Sequence, residues 1–154
     1  RNSGRIFFTT KDLKYLERSG RIGKAACLVG SMLEIKPLLR FYDGELGPSE
    51  LCRGRKRSLQ KVTERLLQYV EREKIDLKGY RFATGEGLPV PEYRSFCEDL
   101  RERLKAADNQ PADWDEIQIG ATIGVHTGPY PVGAGFLRKW TQEDLREAEI
   151  ADVK

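Results

Sequence analysis

The sequence has too few cysteines, in the wrong arrangement, for a disulfide framework or a metal site. Cys27, Cys52 and Cys97 are odd in number and widely separated along 154 residues. Disulfide scaffolds and zinc sites instead place paired cysteines at short, regular spacings. We therefore expect reduced thiols, no bound metal and a cytoplasmic protein.

Signals for membrane insertion and secretion are missing from the sequence. No apolar run approaches the ~20 residues that a transmembrane helix requires, and no N-terminal stretch resembles a signal peptide. At most transient contact with a membrane is expected.

Signatures for binding nucleotides or nucleic acids are also lacking. The Gly-x-Gly stretches at 85–87 and 133–135 do not have the spacing of a dinucleotide-binding loop, and no P-loop is present. The net charge is only +3, with both signs interspersed. We therefore expect neither a cofactor nor a nucleic-acid partner.

The hydrophobic patterns predict an α/β fold. We expect a layered domain with a mixed, largely antiparallel sheet of about four to five strands packed by helices. A chain of this length suits one domain that buries about two-thirds of its unfolded surface. The clearest patterns predict a buried helix over 25–33, a hairpin of strands over 35–42 and 45–52, a helix over 55–72 and a strand over 80–84.

The segment 116–136 is the most informative stretch of the sequence. Apolar residues alternate with small or polar ones from Ile117 to Val125, a pattern that predicts a strand ending at His126, the only histidine. The glycines and prolines of 128–135 predict that regular structure stops there. From the residues alone, His126 is a general acid or base, a ligand donor or a polar residue at a strand end. No nucleophile motif or carboxylate pair supports a hydrolase.

Basic residues at two predicted helix starts are candidate anion contacts. Arg21 and Lys24 precede one helix, and Arg53 and Arg55 precede another, where backbone N–H groups also favour anions. Surface charge is an equally good interpretation of each. The apolar helix over 25–33 is either core or the wall of a lipid pocket.

Several segments, taken in order, resemble the C-terminal half of the DegV family of bacterial fatty-acid-binding proteins. The resemblance covers residues 5 to 138 and rests on LKYLERSGRIGK (13–24), LVGSMLEIKPLL (28–39), DGE (43–45), RGRKRSL (53–59) and IGVHTGP (123–129), closed by Gly133 and Phe136. The family usually has a glycine and a small residue at the positions of Tyr130 and Pro131, which here crowd the loop after the histidine.

The resemblance implies a two-domain carrier that holds one long-chain fatty acid and presents it to a fatty-acid kinase without catalysis. The family histidine falls on His126, which with Thr127 is expected at the carboxylate, as are Arg21 and Arg55. Leu28, Met32 and Ile35 are expected along the apolar tail.

The resemblance also implies how the chain is divided. Residues 1–140 are expected to form the C-terminal lipid-binding domain, and 141–154 a helical tail. Because the sequence begins at Arg1 without methionine, we expect it to lack the N-terminal α/β domain that would pack against it. The alternatives are an enzyme domain that uses His126 on a small acidic substrate, and a structural interaction module.

Overall fold

The computed structural model describes residues 4–11, 13–20, 35–42 and 44–144. The strands are β1 (Arg5–Thr9), β2 (Ile35–Tyr42), β3 (Glu45–Arg53), β4 (Tyr80–Glu86), β5 (Asp113–Gln118) and β6 (Val132–Arg138). The helices are α1 (Lys14–Arg18), α2 (Arg55–Arg72), α3 (Glu92–Ala106) and α4 (Ala121–Thr127), with a short 3₁₀ helix at Leu77–Gly79.

The strands of the described residues form one sheet in the order β3-β2-β1-β6-β4-β5. Every neighbouring pair is antiparallel except β4–β5, which is parallel. The predicted α/β class with a mixed, largely antiparallel sheet is therefore confirmed, with six strands instead of four to five. The additional strand is β6, which the sequence pattern assigned to a loop because of its glycines and the preceding Pro131.

Helices α2 and α3 cover one face of the sheet. The apolar stripe of α2, including Leu59, Val62 and Leu66, is buried against this face, as the helical periodicity predicts. The core cluster continues through α3 and through strand residues that include Phe7, Leu38, Phe82, Leu100 and Phe136. In the described part of the chain, no helix is both long and apolar enough to cross a bilayer.

The opposite face of the sheet is less completely covered. Leu16 of α1 packs on Leu39 of β2, with partly buried apolar side chains around them. Beyond this small cluster, large apolar side chains of the same face remain about half exposed: Ile6 (47%), Phe41 (42%), Ile117 (50%) and Leu137 (51%). The strand register places Ala83, Gly85, Gly133 and Gly135 between them. This face therefore has a floor of small residues between apolar side chains.

The buried hydroxyl of Thr84 on β4 accepts hydrogen bonds from side chains of α3 and β5. Thr84 Oγ1 accepts hydrogen bonds from the Tyr93 hydroxyl at 3.0 Å and from Trp114 Nε1 at 3.2 Å, and Cys97 Sγ lies 3.5 Å away. Burial raises the pKa of both Tyr93 and Cys97, so both remain protonated at neutral pH. By contrast, the buried Thr63 Oγ1 on α2 has no hydrogen-bond partner among the described residues.

The start of the predicted C-terminal tail carries a helix cap formed by Thr141 and Asp144. The Thr141 N–H donates to Asp144 Oδ2 at 2.7 Å, and the Asp144 N–H donates to Thr141 Oγ1 at 3.2 Å. Residues 145–154 lie outside the described residues, so the division into a domain over 1–140 and a tail over 141–154 stays a prediction.

Replacing Thr63 by valine should stabilise the chain, because it removes a buried hydroxyl that has no partner while preserving side-chain shape. We expect the free energy of unfolding to rise by about 1 kcal/mol. Urea denaturation measures it. Thr84→Val is the matched control and should instead cost about 2–3 kcal/mol, because it leaves the Tyr93 and Trp114 donors without their acceptor. A loss of stability in Thr63→Val would contradict the assignment.

Acidification should release the cap at Asp144. Hydrogen bonds from Thr141 and Arg138 lower the pKa of Asp144 to about 2. Because this folded pKa lies below the ordinary value, the cap's contribution is complete above about pH 4. It should be lost as the pH falls towards 2. The Thr141 amide, followed by NMR, should show the change, and Thr141→Ala should abolish it.

Candidate functional site

The structure places His126 in helix α4, so the prediction of a strand that ends at His126 is wrong. Strand β5 ends at Gln118, whose partner Glu86 is the last residue of β4. Beyond this point no neighbouring strand holds the chain extended, and the Gly124 N–H bonds to the Gly120 carbonyl as a helix begins. The predicted apolar strand face is not buried either, since Val125 is 61% exposed.

His126 lies in the last turn of α4 with its ring half-buried. Its Nδ1 atom is covered, and no described residue forms a hydrogen bond with it. A buried polar atom without a partner costs about 1–3 kcal/mol. Such an atom requires an explanation, and one explanation is a site that is completed by a group from elsewhere.

Thr127 is buried beside His126, with its hydroxyl engaged inside the helix. Thr127 Oγ1 donates to the Ile123 carbonyl at 3.2 Å, which leaves its lone pairs to accept further bonds. The chain then turns at Gly128, whose φ of 80° favours glycine. A Cβ there would lie 2.6 Å from Tyr15 Cδ2. Close packing of α1 on this turn fixes the end of α4.

Arg55, the first residue of α2, joins three segments at this end of the sheet. Its Nη2 donates to the Tyr130 carbonyl at 2.9 Å, its Nη1 to the Thr9 carbonyl at 3.4 Å and its Nε to Glu92 Oε1 at 3.3 Å. Burial lowers the pKa of Arg55, and the Glu92 carboxylate opposes that effect. The guanidinium remains charged, and three of its donors are engaged by protein groups.

Four of the predicted site residues are brought to one end of the sheet. Strands β1, β4 and β5 end there, and β2 and β6 begin there, as the pairs Thr9↔Leu38 and Thr9↔Val132 show. The four residues at this end are Ile35, Arg55, His126 and Thr127. Arg21, Leu28 and Met32, together with the helix predicted over 25–33, lie outside the described residues.

Two residues at this end were not predicted as part of the site. The Lys11 ammonium lies 5.0 Å from the centre of the Tyr130 ring, a cation–π distance. Tyr15 packs on Gly128. The sequence signalled only that Tyr130 crowds the loop, because contacts between residues more than 100 positions apart leave no local periodicity.

Comparisons with known proteins agree with this fold. A sequence model of the family described as "Uncharacterised protein, DegV family" matches residues 1–139. A DegV domain-containing protein of Clostridium acetobutylicum is 30% identical over 144 residues, which cover 92% of this chain and 45% of the relative. One from Streptomyces coelicolor is 33% identical over 128 residues, or 82% of this chain and 42% of the relative. The chain spans less than half the length of these curated relatives.

Solved structures resemble the fold over most of the chain. A stearic acid-binding protein from Eubacterium ventriosum has a TM-score of 0.76 and 31% identity, covering 90% of this chain and 45% of its own. A DegV family protein from Thermus thermophilus, described by its fatty acid binding, has a TM-score of 0.69 and 25% identity, with coverage of 89% and 46%.

Replacing Arg55 by lysine should loosen the loop after α4, because one ammonium cannot reach all three acceptors in the fixed guanidinium geometry. We expect a loss of about 1–2 kcal/mol in unfolding free energy. Hydrogen exchange should also accelerate at the Gly87 and Leu88 amides, which bond to the Pro131 and Pro129 carbonyls.

The exposed Arg57 provides the control for this experiment. Arg57 forms one ion pair, 3.9 Å from Glu64, so Arg57→Lys should change stability by less than about 0.5 kcal/mol. Equal effects of the two substitutions would contradict the conclusion that the three hydrogen bonds of Arg55 hold the loop after α4.

Proposed function

The chain belongs to the DegV family, and on that basis we propose that it is the C-terminal half of a two-domain carrier for a long-chain fatty acid. The fatty acid would lie between the two domains, with its carboxylate near His126 and its tail along the less covered face of the sheet. The observation that carries the proposal is the covered Nδ1 of the only histidine. This atom has no partner among the described residues, and it lies at the end of the sheet that holds four of the predicted site residues.

Physical chemistry assigns different roles to the two parts of the ligand. Each buried CH₂ contributes ~0.8 kcal/mol, so a long acyl chain supplies most of the affinity. A carboxylate removed from water needs donors or a positive partner, because its desolvation is otherwise costly. Nε2 of His126 supplies one such donor, and the position of α4 directs it.

The less covered sheet face is the proposed surface for the acyl tail. Ile6, Phe41 and Leu137 border its small central residues with apolar side chains, and neighbouring strands closely approach the glycines themselves. An alkyl chain laid there would cover apolar surface that is now about half exposed. Leu28 and Met32 remain proposed tail contacts, and so does Ile35 at the start of β2.

Arg55 is proposed to act on the head group mainly through the loop that it holds. With three donors engaged by Thr9, Tyr130 and Glu92, it orders the segment that follows α4. A direct contact between Arg21 or Thr127 and the ligand remains part of the proposal. The missing donors would come from the preceding domain that the family membership predicts.

We propose binding without catalysis, in the cytoplasm. His126 Nδ1 has no hydrogen-bond partner among the described residues, so no described carboxylate orients the ring as in a Ser-His-Asp triad. Presentation of the acyl group to a fatty-acid kinase completes the proposal. A pH-dependent turnover of an acyl or phosphoryl substrate would favour the enzyme alternative instead, and a lipid-free full-length protein would favour an interaction module.

His126→Ala should weaken fatty-acid retention in the protein produced together with its preceding domain. Loss of one charge-assisted hydrogen bond predicts retention lower by about tenfold or more, while the acyl tail keeps its contacts. Lipid content after purification, measured by mass spectrometry, and the dissociation constant for a labelled long-chain fatty acid provide the measurements.

Two further variants separate binding from folding. His126→Gln keeps an N–H donor at a similar reach and should retain more lipid than His126→Ala. Lys105→Ala, on the exposed last turn of α3 at the far end of the domain, should change nothing. Unchanged lipid content in His126→Ala, with unchanged urea denaturation, would exclude the proposed role of His126.

A further inference from the structure

A cavity lies on the helix-covered face of the sheet, at the end opposite His126. This groove has a volume of about 370 Å³ and lies between the strands and the C-terminal half of α2. We call it the arginine groove, because its lining includes Arg5, Arg40, Arg65 and Arg72, with Tyr42 and Tyr69. Arg5 lies at the groove and Thr9 at the other end of β1, about 13 Å along the strand. The Thr9 carbonyl is the one that accepts a hydrogen bond from Arg55.

Two tyrosine rings hold three of these guanidinium groups. Arg5 is only 7% exposed, lies 3.8 Å from the centre of the Tyr42 ring, and donates through Nε to the Tyr69 hydroxyl at 2.8 Å. Arg40 lies 5.9 Å from the same Tyr42 ring, and Arg72 lies 5.2 Å from the Tyr69 ring. Cation–π contacts of this kind limit the directions in which the guanidiniums point.

No acidic side chain lies among the described residues that line the groove. Glu50, which does not line the groove, accepts both Nε and Nη2 of Arg65, and Glu73 accepts Nε of Arg72. Arg40 forms no ion pair with any described residue. Gathering like charges is unfavourable, and a bound anion would offset their repulsion.

We propose that the arginine groove binds an anion that carries a phosphate group. The N–H groups of Arg40, with the two Nη atoms of Arg72, are the donors that the described contacts leave for such a ligand. The planar fork of a guanidinium matches two phosphate oxygens at once. The phosphate belongs either to a small soluble ester or to the head group of an anionic phospholipid.

The test is a binding measurement on the 154-residue chain in phosphate-free buffer at constant ionic strength. The soluble probes are sodium phosphate and adenosine monophosphate, titrated by calorimetry. The membrane probes are phosphatidylglycerol vesicles, with phosphatidylcholine vesicles for comparison, followed by sedimentation. The double variant Arg40→Gln/Arg72→Gln should weaken binding by about tenfold or more.

A matched double variant controls for net charge. Arg94→Gln/Arg103→Gln removes the same two charges from exposed positions on α3 and should leave binding unchanged. Binding of a soluble probe assigns a free ligand, and binding confined to phosphatidylglycerol vesicles assigns a lipid head group. The proposal is overturned if no probe binds, or if both double variants weaken binding equally. Fatty-acid retention should be the same in both, so this test is independent of the proposed carrier role.

Discussion

The close approach of β6 to β1 is the constraint on which the six-stranded sheet depends. A Cβ at Gly133 would lie 2.5 Å from the Phe7 carbonyl oxygen and from Phe8 Cβ, closer than side-chain atoms can approach. Strand β6 is also the only described link between the β3-β2-β1 and β4-β5 parts of the sheet. Its alternate residues, Val132 and Phe136 among them, enter the core. The glycines on one side of β6 thus allow the apolar residues on its other side to complete the core.

The position of β6 also determines where His126 lies. Because β6 starts beside the ends of β1 and β4, the segment before it runs alongside the loop after β4. There the Gly87 and Leu88 amides bond to the Pro131 and Pro129 carbonyls. Arg55 adds its bond to the Tyr130 carbonyl. Helix α4 is therefore held from its C-terminal side, and the histidine is positioned by strand order as much as by its own helix.

Helices and strands could be predicted from the sequence wherever the local pattern of apolar residues matches the burial in the structure. The helix α2 and the hairpin of β2 and β3 were predicted with their observed limits or close to them. Helix α2 buries one apolar stripe, and the hairpin has a local turn signal in the sequence DG at 43–44. Periodicity failed from residue 119 to 138. Ile117, Ile123 and Val125 alternate as a strand would, but their side chains are exposed, since β4 ends opposite Gln118. Gly133 was interpreted as a breaker because its reason, contact with β1, lies 125 residues away in the sequence.

The choice of His126 did not depend on the correct local structure. A single histidine in a loop rich in small residues, together with the family resemblance, was enough to select it. The sequence could not show that Nδ1 is buried and has no hydrogen-bond partner among the described residues. Nor could it show that Arg55 donates three hydrogen bonds to groups of the protein.

The arginines near the two ends of β1 have different partners. At the His126 end, Arg55 donates to two carbonyls and a carboxylate, so its charge mainly stabilises the loop after α4. At the other end, tyrosine rings contact the guanidiniums of Arg5, Arg40 and Arg72. The described contacts there leave the N–H groups of Arg40 and the two Nη atoms of Arg72 without a protein acceptor. About 13 Å of strand separates the two ends. A ligand in the arginine groove would therefore not contact the residues proposed for the head group of the fatty acid.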